Sequence, residues 1–97
     1  MSFRSPKLLK AAQGMPCMSC GSVGTTVSAH CRMVALGSGT GIKVPDCLIA
    51  WLCQSCHDKI DGRTPCEWNA NERRDRWFLA FARTIVELFK RGIVEVT

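Results

Sequence analysis

Four of the seven cysteines stand in two C-x-x-C pairs, Cys17-Met18-Ser19-Cys20 and Cys53-Gln54-Ser55-Cys56. Two residues between thiols let both sulfurs reach one metal from a tight turn, and two such pairs complete the tetrahedral set that Zn²⁺ favours. Such a site is closed: it staples a fold and leaves no coordination position for a substrate. Between the pairs lie 32 residues, more than the ~15–20 of an ordinary zinc ribbon, so a further segment is inserted between the knuckles. Both histidines border that insertion. His57 follows the last thiol directly, and Asp61 comes four residues later; on a helix, an imidazole and a carboxylate at that spacing share a face and can grip one divalent ion. His30 and Arg32, two residues apart, project to the same side of a strand, where Arg32 can hold a phosphate. Asp46 follows Pro45, just ahead of a second apolar run.

The elements that must position these groups are short. Residues 5–13 read as a helix, with Ser5 as N-cap, Pro6 in the first helical position and Gly14 as the stop. A tight turn over 15–21 leads to a β-prone stretch, 23–31, containing Thr25, Thr26 and Val27. Residues 37–43 form a glycine-rich loop. The run 47–52, ending at Cys53, predicts a second strand pairing with the first, and Gln54–Ile60 a short helix closed by Asp61-Gly62. Pro65 breaks the chain before a longer helix, about 69–91, that starts near Asn69 or Asn71 and ends at Gly92. On it Trp77, Phe81, Ile85, Leu88 and Phe89 recur at helical spacing, widened by Phe78 and Val86, and read as core packing. Residues 93–96 suggest a terminal strand. Trp51, Trp68 and Trp77 read as core or rim. Cys31, Cys47 and Cys66 read as spare thiols, with Cys66 the exposed one.

At 97 residues the chain is the size of one domain with a thin core, for which a metal staple is a natural supplement. We expect a single domain over 1–97 with its core motif at about 15–64. No apolar run approaches the ~20 residues of a membrane span, and the start, Met1-Ser2-Phe3-Arg4, lacks the pattern of a secretory leader. These readings lead us to expect a cytoplasmic protein with no membrane partner. In that compartment clustered cysteines point to metal rather than disulfides, and the element order lacks the βαβ setting of a redox C-x-x-C. Cys53–His57 also matches the C-x-x-C-H signature of haem attachment, but haem requires an exported setting and leaves Cys17 and Cys20 unexplained. The net charge of +5 is uneven: five basic side chains against one acidic in residues 1–50, eight against seven beyond. A basic half suits a polyanionic partner. Lys43, among glycines 37, 39 and 41, can approach a phosphate chain. Arg76, Arg83 and Lys90 recur every seven residues after Arg73. Arg76 and Arg83 are further candidates for nucleic-acid contact, although a solvated helix face is the plainer account of that stripe.

Three blocks carry a resemblance: Ala29-His30-Cys31-Arg32, Gly39-Thr40-Gly41-Ile42-Lys43-Val44-Pro45-Asp46, and Leu52-Cys53-Gln54-Ser55-Cys56-His57-Asp58-Lys59-Ile60-Asp61. Over roughly residues 7–64 the chain resembles the HNH (His-Me finger) endonucleases. Within them it is similar to the small YbcO-type nucleases of phages and prophages, which would place it in a host cell's cytoplasm. The resemblance implies an α+β fold, a ββα-metal module stapled by a four-cysteine zinc site, with a short N-terminal and a long C-terminal helix. It implies a metal-dependent endonuclease hydrolysing phosphodiester bonds in DNA, with RNA still open, acting as a monomer or weak dimer. By position, His30 resembles the general base, Asp46 the middle residue that orients it, and His57 the ligand of a catalytic divalent ion (Mg²⁺, Mn²⁺, Ni²⁺ or Zn²⁺), with Asp61 a further ligand. Ala29 stands where many relatives carry Asp or His, and Asp46 where they carry Asn. The reading from a different class is a non-catalytic zinc module that binds nucleic acid or protein.

Overall fold

A computed structural model describes residues 3–32 and 44–95. The order is α1 (Pro6–Lys10), β1 (Thr26–His30), β2 (Ile49–Cys53), α2 (Gln54–Ile60) and α3 (Ala70–Lys90). It is a small mixed α+β domain around a two-stranded antiparallel sheet, in register Thr26↔Cys53, Ser28↔Trp51 and His30↔Ile49. The glycine-rich loop 37–43, with Lys43, lies outside the described residues.

Local chemistry explains each boundary. The Ser5 hydroxyl accepts from the Leu8 N–H at 3.2 Å and Pro6 opens α1. The helix is a turn shorter than the expected 5–13, because residues 11–14 relax into turns before Gly14. β1 likewise starts at Thr26, not 23, after Gly24. The thiol of Cys53 accepts from the Cys56 N–H and caps α2, which spans the expected residues. Asn69 and Glu72 form a reciprocal capping box at the start of α3, at 2.9 and 3.0 Å, satisfying backbone donors that would otherwise be orphaned. At its end Gly92 takes φ +70°, which a side chain would resist.

The chain beyond Gly92 corrects one expectation. Residues 93–95 form no strand. Ile93 and Val94 both donate backbone N–H groups to Leu88 O, at 3.0 and 3.1 Å, and their side chains pack against Leu8, Ile49, Trp51 and Leu88. β-Branched propensity yields here to helix capping and core contact.

β2 is buried at all five positions, because both of its faces are covered. Ile49 and Trp51 meet Leu8 and Ala12 of the N-terminal segment and Leu88 of α3. Ala50 and Leu52 meet Trp77, Ala80 and the cysteines. α3 lies along the outer edge of β2, serving both clusters. There the Thr84 hydroxyl accepts from the Trp51 N–H at 2.9 Å and donates to Ala80 O at 2.8 Å, while Trp51 O accepts from the Met18 N–H at 2.8 Å. The buried positions of α3 are Trp77, Ala80, Thr84 and Leu88. Phe78, Val86 and Phe89, expected in the core, are exposed: the hydroxyl of Thr84, invisible to an apolar count, sets the helix rotation. Trp51 and Trp77 are core and Trp68 is half-buried, as expected. Of the spare thiols, Cys47 is the exposed one. Cys66 is half-buried, its thiol directed at the carbonyls of Lys59 and Trp68.

Candidate functional site

At the Cys53 end of the ribbon the sheet brings the two knuckles together. The sulfurs of Cys17, Cys20, Cys53 and Cys56 all lie within 4.8 Å of one another. Cys20 Sγ and Cys53 Sγ are 3.7 Å apart, close to the ~3.8 Å edge of a tetrahedron with ~2.3 Å Zn–S bonds. Backbone N–H groups of Ser19 and Cys20 point at Cys17 Sγ, each at 3.4 Å. The Ser22 hydroxyl brings the Cys20 thiol down to about 6. Burial and the neighbouring thiols push Cys56 up instead. Four sulfurs this close cannot all ionise without a cation among them, and the donor set fits a structural metal ion.

At the opposite end of the ribbon, His30 Nε2 lies 3.0 Å from Asp46 Oδ1. Asp46 is held from two further directions: the Ser5 N–H donates to Oδ2 at 2.8 Å and Arg4 Nη1 to Oδ1 at 3.2 Å. Arg4 also donates to Val44 O, and the Asp46 N–H to Phe3 O at 2.9 Å, so the segment before α1 fixes the carboxylate. Burial alone would raise the Asp46 carboxyl, but the bonds from His30, Ser5 and Arg4 outweigh it and hold it below the usual range. An ionised carboxylate only accepts, so His30 Nε2 is the donor in this bond, and in the neutral ring Nδ1 is then the acceptor nitrogen.

α2 turns back from the cysteine end along the sheet and carries a second pair. His57 Nε2 lies 3.0 Å from Asp61 Oδ2. The same oxygen accepts from Arg32 at 3.3 Å and faces Arg63 at 3.4 Å. Burial again works against the Asp61 carboxylate, and the His57 bond with the charges of His57, Arg32 and Arg63 prevails, keeping its pKa low. Through Arg32, two residues past His30, the end of β1 is tied to the end of α2. Thus His30, Asp46, Arg32, His57 and Asp61 fall into two carboxylate-centred groups, His30 with Asp46 and His57 with Asp61, and the Arg32 guanidinium belongs to the second. Arg76 and Arg83 bond no member of either group. Arg76 lies 4.0 Å over the Trp68 ring, and Arg83 donates to Met18 O at 2.9 Å.

Among the described residues, the cysteines alone gather three or more metal-donor side chains. His57 and Asp61 are donors of the right type for a catalytic ion, and His57 Nδ1 is buried with no hydrogen-bond partner. Two protein donors leave most of an ion's shell to water and phosphate oxygens, and Asp61 already faces two guanidinium charges.

Arg4, Arg63 and the site role of Ser5, read only as a helix cap, escaped the sequence reading. Arg4 and Ser5 lie 42 and 41 residues from Asp46, and nothing local marks them as its partners. Arg63 had a signal, standing two residues beyond a carboxylate at a helix end.

The family described as "Putative nuclease YbcO" matches residues 6–93. Its Escherichia coli K12 and Enterobacteria phage 82 members, carrying that same description, are each 36% identical over 94 residues, covering 91% of this chain and 96% of theirs. A solved Escherichia coli K-12 structure, described as that of "a putative bacteriophage protein", superposes with TM-score 0.70 at 32% identity, covering 88% of this chain and 99% of that one. The chain belongs to the YbcO family.

Proposed function

We propose that this chain is a nuclease of the HNH type, a ββα-metal module that hydrolyses phosphodiester bonds in DNA. The family's description supports a nuclease role. The observation that carries the mechanism is the His30–Asp46 pair: a partly exposed imidazole whose Nε2 donates to a carboxylate, itself pinned by Ser5 and Arg4. With Nε2 occupied, Nδ1 takes a proton from the attacking water as its oxygen bonds to phosphorus. The bond to the leaving oxygen breaks, and that oxygen is protonated by solvent. Asp46 keeps the ring in one tautomer and stabilises the imidazolium that results. Arg32, with its side chain 63% exposed, turns from Asp61 to a phosphate oxygen with no change in charge type. His57 and Asp61 are the residues that would hold a catalytic divalent ion. When bound, the ion polarises the phosphoryl group and stabilises the departing alkoxide. In this reading Lys43, Arg76 and Arg83 contact the backbone of the nucleic acid, outside the reacting atoms.

A plasmid-nicking assay with Mg²⁺, Mn²⁺ or Ni²⁺ tests this reading. We expect wild type to nick and His30→Ala to lose on the order of 10²–10⁴-fold in rate, with unchanged circular dichroism and zinc content. Equal nicking by the two proteins rejects His30 as the base. A wild type inert with all three ions rejects the nuclease.

A further inference from the structure

Beside Asp61 a cavity of about 240 Å³ opens between the end of α2 and the first turns of α3. Arg32 and Asp61 form one wall and Arg73, Arg74, Trp77 and Phe78 the other. We propose that it seats one nucleotide of the substrate strand next to the scissile phosphate, the phosphate on Arg73 and Arg74 and an unpaired base against Phe78. The proposal rests on the nucleic-acid reading above and adds the residues that grip the strand.

Three observations lead there. First, the charge is uncompensated: Arg32 shares Asp61, but neither Arg73 nor Arg74 forms an ion pair among the described residues. Arg73 Nε is buried with no hydrogen-bond partner. A buried guanidinium nitrogen without an acceptor is costly and calls for an anion. Second, Arg73 is held in place. Gly62, at φ +75°, lets its guanidinium lie against the loop after α2; a Cβ at residue 62 would stand 2.5 Å from Arg73 Nη1. Third, the apolar wall is a braced aromatic platform. Phe78 meets Trp77 edge-on at 5.2 Å, and Trp77 stacks on Phe81 at 5.1 Å. Phe78 is nevertheless 36% exposed, an aromatic face set for stacking rather than packing. Below the ~300 Å³ at which small-molecule pockets begin, the space suits a single unit of a longer strand. Its shared wall, Asp61, bonds His57, which places that unit beside the proposed reaction centre.

The test measures fluorescence anisotropy of a labelled single-stranded DNA 12-mer and the matching duplex, without added divalent ion. His30→Ala serves as background so that cutting cannot interfere. We expect Arg73→Gln/Arg74→Gln to weaken binding about tenfold and flatten the salt dependence by about one unit of slope. Arg74→Gln alone, at an exposed position, should show a smaller loss of the same kind. Phe78→Ala should cost about tenfold on the single strand with unchanged slope, and little on the duplex. Lys10→Gln on α1 should bind as the background does. An arginine double variant that melts like its parent and keeps parental affinity and slope overturns the phosphate seat. Equal losses on both DNAs for Phe78→Ala overturn the stacked base, and a background that binds neither DNA overturns the site. A protein that binds through these arginines yet fails to nick with Mg²⁺, Mn²⁺ and Ni²⁺ alike loses the nuclease reading and keeps the cavity's role.

Discussion

At one end of the β1–β2 ribbon four thiols turn inward on one another, their sulfurs within 4.8 Å. At the other end, imidazoles and carboxylates pair off and leave donors over, among them the buried, unpartnered Nδ1 of His57. The first arrangement uses up its chemistry internally, which is what a staple must do in a thin-cored chain. The second is held by neighbours from outside each pair: Asp46 by Arg4 and Ser5, Asp61 by Arg32 and Arg63. The lesson is that a few residues of sheet separate groups that serve stability from groups that can be recruited to a reaction.

That contrast can be broken most severely at the thiols. Cys53→Ser removes a cluster member that also caps α2, and structural zinc supplies on the order of 10 kcal/mol to small domains. We expect loss of bound zinc and of cooperative thermal unfolding; a zinc-free variant melting like wild type would break the comparison. At the other end, Asp46→Asn should keep the fold while lowering nicking about 10–100-fold, the usual cost of losing a carboxylate behind a functional imidazole. Its effect on stability depends on pH in a fixed direction. Asp46 titrates below the usual range, so its contribution is full above about pH 4 and is lost as pH falls through the folded-state value. The gap in urea midpoint between parent and variant should hold from pH 7 to 5 and close in stronger acid. Thr84→Val tests whether α3 joins the two ends through β2. It strips the Trp51 N–H of its acceptor and should cost about 1–3 kcal/mol by denaturant unfolding. The smallest effect is expected from Arg63→Gln. Relieving Asp61 of one exposed guanidinium should tighten Mn²⁺ binding a few-fold by calorimetry, in keeping with the ~0.2–1 kcal/mol of exposed ion pairs.

What could be read ahead of the structure was whatever local chemistry decides. The bounds of α2, the Asn69 start of α3 and the gathering of four cysteines all follow from caps, spacings and turn residues within a few positions. His57 and Asp61, one helical turn apart, were legible for the same reason. The residues that steer Asp46 were not, because they approach it from 41 and 42 positions away. On α3 the stripe Trp77, Phe81, Ile85 and Leu88 does face the core, but its width was misjudged for a related cause. Apolar counting admitted Phe78, Val86 and Phe89 and missed Thr84, whose burial depends on a backbone N–H of another element. Arg73 read as part of a solvated stripe and nothing in the sequence singled out Arg74, until the fold set both over a cavity.

The hydroxyl and amide that clasp Trp51 have one more effect. A two-stranded ribbon with a bare margin invites a foreign strand to zip onto it, the first step toward fibrils and swapped dimers. Here the backbone of Trp51 is already engaged, N–H to Thr84 and C=O to Met18, so an intruding chain must first pry α3 and the first knuckle loose. The clasp that seats α3 thereby also guards the β2 margin of a minimal sheet against recruiting a neighbour.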